Sequence, residues 1–180
     1  QSGDNGTYGY SSDESRYGNR SLKLDMTVNT ENIEVDQDFE AESGEVYTFS
    51  LYANIPQALT LNGTNGVNFG FVYCIDGEWK SACSEWIGST SGWEKFEFTA
   101  RIPSGTLENC HAFVKLSKAE GTVYFDNLQV EKSGGSSKYN FIENSSFKSL
   151  YTNSLGDTCA DKWGTLSDSG YYEYKKFNGK

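Results

Sequence analysis

The 180-residue chain is poor in the residues that build long helices, basic surfaces and membrane spans. It has 2 Pro, 1 Met and 1 His, and Ala and Leu are sparse. No run approaches the ~18 consecutive apolar residues of a spanning helix, so no membrane partner is expected. Lys and Arg number 15 against 25 Asp and Glu, a formal net charge of -10. Nothing basic clusters, which argues against nucleic acid or an anionic lipid surface as partner. Catalytic signatures are missing too: there is no G-x-S-x-G, no phosphate loop and no H-E-x-x-H. The one histidine, His111, directly follows Cys110. Neighbours in a strand point to opposite faces, so these two cannot form a nucleophile–base pair. Carboxylates are numerous enough for a glycosidase pair, but an acidic, solvated surface accounts for them more simply. The expectation is a protein that is not an enzyme.

Cysteine usage is modest. Cys74, Cys83, Cys110 and Cys159 show no C-x-x-C spacing, so a zinc knuckle is poorly supported. Disulfides of an exported protein and buried free thiols remain equal alternatives. The first residue is Gln1 rather than Met, which raises the expectation of a removed signal peptide or an upstream region.

What the chain does contain is 19 Gly, 12 Tyr, 11 Phe and 4 Trp, a mixture suited to strands and turns. At this length one domain can bury a full core. Residues 1–19 show no period and predict a loop. Residues 20–28 alternate, with Leu22, Leu24, Met26 and Val28 on one side, as in a strand buried on one face. Ile33 and Val35 mark a second strand, and residues 46–55 a third, with Tyr47, Phe49, Leu51 and Ala53 inward. Residues 67–75 predict another strand, turned by the hairpin signal Asp76-Gly77. Residues 80–91 read as irregular. Residues 93–102, 110–116 and 122–130 alternate again, with Gly121 separating the last two. Residues 132–137, KSGGSS, form a flexible linker, and a short strand is expected at 139–142. Seven or eight strands with no convincing helix define an all-β fold, an antiparallel β-sandwich.

Four segments then resemble a known family in order and spacing. Tyr17-Gly-Asn-Arg-Ser-Leu-Lys-Leu24, Gly44-Glu-Val-Tyr-Thr-Phe-Ser-Leu-Tyr52, Trp93-Glu-Lys-Phe-Glu-Phe98 and Tyr124-Phe-Asp-Asn-Leu-Gln-Val-Glu131 are similar to strands of jelly-roll, galactose-binding-like carbohydrate-binding modules. Such modules attach to glycan-degrading enzymes and recur in bacterial Rhs/YD-repeat surface proteins. Tyr139-Asn-Phe-Ile-Glu-Asn-Ser-Ser-Phe147 resembles the first strand of the same modules, but here it follows the last. The division is thus a module over 1–132, with 133–180 either completing that sandwich or opening a next repeat. The resemblance implies a non-catalytic, secreted or cell-surface module within a larger multimodular protein, binding a poly- or oligosaccharide as a monomer or strand-swapped dimer. The alternatives are a structural or adhesion spacer and, less favoured, a glycoside hydrolase.

Sugars bind by stacking their apolar faces on aromatic rings, beside polar groups that meet their hydroxyls. The candidate carbohydrate-binding residues are Trp79 after the hairpin turn, Trp86 in the next loop and Tyr52 on the polar face of its strand. Phe113 and His111 join them, on the strand face opposite Cys110, Ala112 and Val114. Trp93 is assigned to the core. The resemblance also implies a structural Ca²⁺ held partly by Asp126. The second acid of that site is replaced by Lys148, and a lysine is unfavourable where calcium needs six to eight oxygens.

Overall fold

A computed structural model describes residues 2–3, 5–133, 140–152, 158–160 and 163–167. The alternating segments form β1 (Ser2–Gly3), β2 (Gly6–Ser11), β3 (Ser21–Met26), β4 (Asn32–Asp38), β5 (Val46–Asn54) and β6 (Thr60–Ile75). They continue as β7 (Glu78–Cys83), β8 (Glu94–Arg101), β9 (Leu107–Lys132), β10 (Leu150–Thr152), β11 (Thr158–Ala160) and β12 (Gly164–Ser167). All pairings are antiparallel.

Two faces are built around one long strand. The N-terminal half of β9 lies between β4 and β6, with β7 beyond β6 and β12 beyond β4. Its C-terminal half lies between β3 and β5, with β2 beyond β3 and β8 beyond β5. The sequence suggested two strands here, parted at Gly121. Instead one 26-residue strand passes from sheet to sheet through a kink at Lys118 (φ 43°) and Gly121 (φ 133°).

Alternation sets the core. Leu22, Leu24 and Met26 of β3, Tyr47, Phe49 and Leu51 of β5, Phe69 and Phe71 of β6, and Ala112 and Val114 of β9 all point between the sheets and are buried. Aromatic rings bridge the layers: Phe49 meets Phe69 edge-on at 5.3 Å, and Phe39 meets Tyr47 at 5.4 Å. Such edge contacts add about 0.5–1.5 kcal/mol to the burial of each pair.

Three further sequence expectations change. Residues 6–11, expected as loop, pair along β3, and Tyr8 and Tyr10 pack against the core. Their Gly- and Ser-rich alternation carries too little apolar signal to be seen. Residues 78–83, expected as mostly irregular, are β7, because the Asp76-Gly77 hairpin returns the chain along β6. Both turn residues have positive φ, 52° and 78°, as a type I′ turn requires. Trp93 is only partly buried and lies outside the core cluster, since it precedes β8 rather than forming part of its inward row.

The segment after the linker docks within the same chain. Phe147 is fully buried and Ile142 nearly so. The Phe141 N–H donates to the Val130 carbonyl (2.9 Å), and the Leu128 N–H to the Ser145 carbonyl (3.1 Å). The Asn140 side chain accepts from the Val130 N–H and donates to the Leu128 carbonyl. Residues 140–142 thus lie beside β9 without a regular ladder. Tyr139 and residues 134–137 of the linker are outside the described residues.

Candidate functional site

The outer face of the sheet that joins β4, β6 and β7 to the N-terminal half of β9 gathers most of the polar chemistry. On β9, His111, Phe113 and Lys115 alternate away from the core. Register places His111 between Asp38 and Val72, Phe113 between Asp36 and Gly70, and Lys115 between Glu34 and Asn68. On β4, Glu34, Asp36 and Asp38 interleave with the inward Ile33 and Val35, so three acids share that face. Neither these acids nor Asn68 is among the candidates that the sequence pattern marks. The spacing of three acids at every second residue between apolar neighbours was the signal available.

This face is outer but largely not exposed. His111 and Phe113 are each 3% exposed and Asn68 4%. The expectation that Phe113 is an exposed aromatic is therefore wrong, and His111 is likewise buried. The physical reason is the edge hairpin. A Cβ at Gly70 would lie 2.2 Å from the carbonyl oxygen of Ala82, so the β7 backbone leans over the face beside Phe113. From the same strand, the Trp79 ring reaches His111, with centroids 6.0 Å apart.

Two buried polar atoms on this face have no hydrogen-bond partner: Asn68 Oδ1 and His111 Nε2. Orphaned buried polar atoms are uncommon and call for an explanation. Burial pushes the His111 imidazole below its ordinary pKa, while the Asp38 charge pulls the other way; Nδ1 and Asp38 Oδ1 are 4.0 Å apart. The Asp36 carboxyl is pushed up to about 7, by burial first and then by the charges of Glu34 and Asp38. Lys115 pairs with Glu34 at 3.3 Å.

The two exposed tryptophans flank this region. Trp79, 55% exposed, stands opposite Cys74 on β7. Trp86, 40% exposed, precedes Ile87, which pairs with Val67 and packs on the core. By alternation Trp86 faces outward on the side of Asn68. Six residues of β6 separate the two positions, roughly 20 Å along an extended strand. Tyr52 is elsewhere. It lies on the outer face of the other sheet, on β5, edge-on to Tyr17 at 5.7 Å, with the Arg16 guanidinium over both rings. Of the three aromatic candidates, Trp79 and Trp86 thus share a sheet face, and Tyr52 stands apart from them.

Asp126 is fully buried, and its oxygens are already engaged. Oδ2 accepts from the N–H groups of Arg16 and Tyr17, and Oδ1 from that of Asn127, all within 2.8 Å. Burial pushes its pKa up, and these donors, with the Lys148 charge, pull it down. Lys148 also packs on Gly18 and lends its carbonyl to Arg20. A carboxylate ringed by N–H donors and an ammonium does not fit a calcium site, which needs converging oxygens.

Cys74, Cys83 and Cys110 are free thiols, and the Cys159 side chain is outside the described ones. The Cys110 thiol faces the core and is pushed up to about 12, chiefly by burial. It shares no face with His111, as alternation required.

No protein-family model matches the chain, and no curated protein matches it in sequence. Solved structures match in shape. "Family 16 Carbohydrate Binding Module-2" superposes with a TM-score of 0.54 at 10% identity, over 69% of this chain and 84% of its own. A structure described as "CBM4 structure and function" reaches 0.52 at 19% identity, over 70% and 79%. The C-terminal family 22 carbohydrate-binding module of Clostridium thermocellum Xyn10B reaches 0.51 at 17%, over 79% and 86%. The chain therefore has the jelly-roll β-sandwich of carbohydrate-binding modules.

Proposed function

We propose that this protein is a non-catalytic carbohydrate-binding module and that the outer face of β4, β6, β7 and β9 takes the glycan. The carrying observation is the half-exposed Trp79 ring on the sheet face that also buries the unpartnered Asn68 Oδ1. Trp79 supplies a stacking surface at one end and Trp86 at the other, where Asn68 beside it would meet a sugar hydroxyl. A hydroxyl donor at Asn68 removes a desolvation penalty that the free protein carries. The fold supports this reading without carrying it, since one sandwich hosts many functions. An exported protein, holding a larger multimodular partner near its substrate, fits the same picture.

Affinity electrophoresis in gels containing xylan, mixed-linkage β-glucan or galactan tests the reading. Retardation by at least one polysaccharide, lost on Trp79→Ala, supports it. Retardation by none of them, or retention of full binding by the Trp79→Ala, Trp86→Ala double variant, overturns it.

A further inference from the structure

We propose that Glu34, Asp36 and His111 form a binding site for a divalent transition-metal ion of the Zn²⁺ class. One ligand atom from each residue lies within 4.8 Å of the others. β4 and β9 bring them together: adjacent antiparallel strands place Asp36 beside Phe113 and Asp38 beside His111, and Glu34 reaches along the same face. The site shares a face with the proposed glycan contact but does not rest on it.

Two observations point to a cation rather than to a solvated acidic patch. First, His111 is buried, yet its Nε2 has no partner. With Asp38 standing beside Nδ1, Nε2 is the nitrogen left to ligate. A carboxylate next to the far nitrogen is the usual way a ligating imidazole is oriented. Second, Glu34, Asp36 and Asp38 crowd one face of β4, and the cation that meets them is Lys115 on Glu34. A bound dication would relieve that repulsion and compete with Lys115. One imidazole nitrogen and two carboxylate oxygens suit zinc or its neighbours better than calcium, which prefers oxygen alone. Three protein ligands leave a coordination position for water or another oxygen ligand. The Asp38 side chain is exposed and gives solvent access to the edge of the cluster.

The test uses the full chain, free of any tag and stripped with EDTA. His111 is the only histidine, so its imidazole NMR signals report the site directly. Zn²⁺ should shift those signals with saturation near one equivalent and raise Tm. Asp36→Asn, which keeps the side-chain shape, should weaken Zn²⁺ binding roughly tenfold or more. Lys115→Gln should strengthen it, because a competing cation is gone. Cys83→Ser should leave it unchanged. The proposal is overturned if millimolar Zn²⁺ leaves the imidazole signals in place. It is equally overturned if folded Asp36→Asn binds as tightly as wild type, or if Cys83→Ser abolishes binding.

Discussion

Trp79 and His111 stand with ring centroids 6.0 Å apart and planes inclined by 46°, one half-exposed and the other buried beneath it. The indole is thus both a roof over the imidazole and a free surface toward solvent. That double role separates it from Trp86, whose ring makes no such described contact. Trp79→Ala should weaken glycan binding by about 1–3 kcal/mol, the worth of a lost stacking face. It should also expose His111, whose imidazole pKa should rise toward 6.5 as its burial is relieved. Trp86→Ala should weaken binding without moving that pKa. Calorimetry on the retained polysaccharide and NMR titration of the single histidine measure the two effects.

Phe147→Ala should destabilise the fold by roughly 3–5 kcal/mol, the range for large core truncations. Phe147 is fully buried and stacks with Trp163 at 5.4 Å, so its loss opens a cavity at the sandwich edge. Truncation after Lys132 should lower Tm by several degrees or cause aggregation, because it bares the β9 edge that residues 140–147 cover. Thermal melts that match those of the full chain would show that the segment adds nothing to the sandwich.

Stability should fall as pH rises from about 4 to about 7, and Asp36 is the reason. Its folded pKa of about 7 exceeds the unfolded value of 3.8, so the folded state holds the extra proton across that window. Stability is highest where both states are protonated and declines as the unfolded chain ionises first, by at most about 4 kcal/mol. Asp36→Asn should flatten this slope. Urea melts in EDTA at pH 4, 5.5 and 7 measure it, with EDTA keeping any bound dication from masking the repulsion.

Added Ca²⁺ should leave Tm unchanged in wild type, since N–H donors already occupy both Asp126 oxygens. Asp126→Ala should cost roughly 2–4 kcal/mol, because it strands buried backbone donors. Lys148→Glu should lower stability with or without Ca²⁺, because it replaces a favourable charge beside the buried Asp126 with a like one while the N–H donors stay on both its oxygens. Differential scanning fluorimetry with and without Ca²⁺ decides all three.

Period-2 alternation determined the sandwich by itself. Residues 22–26, 47–53 and 112–116 alternate so cleanly that the core side of β3, β5 and β9 follows from the text of the chain, because each inward side chain must be apolar. Asp76-Gly77 equally determined a hairpin, since few other residue pairs accept positive φ at both turn positions. Alternation also placed His111 and Phe113 away from the core correctly. It could not decide whether that outer face met solvent. Only tertiary structure bends β7 over Gly70, swings Trp79 across His111 and buries both β9 residues. The same holds for Tyr52 and Trp79: each reads as an outward aromatic, but which sheet carries which is a matter of long-range pairing. The convergence of Glu34 and Asp36 on His111, some 75 residues away, depends on the register of β4 against β9. Local sequence sets which way a side chain points within its own strand. What it meets there is set by partners distant in the chain, whose register is chosen by the burial of the whole core.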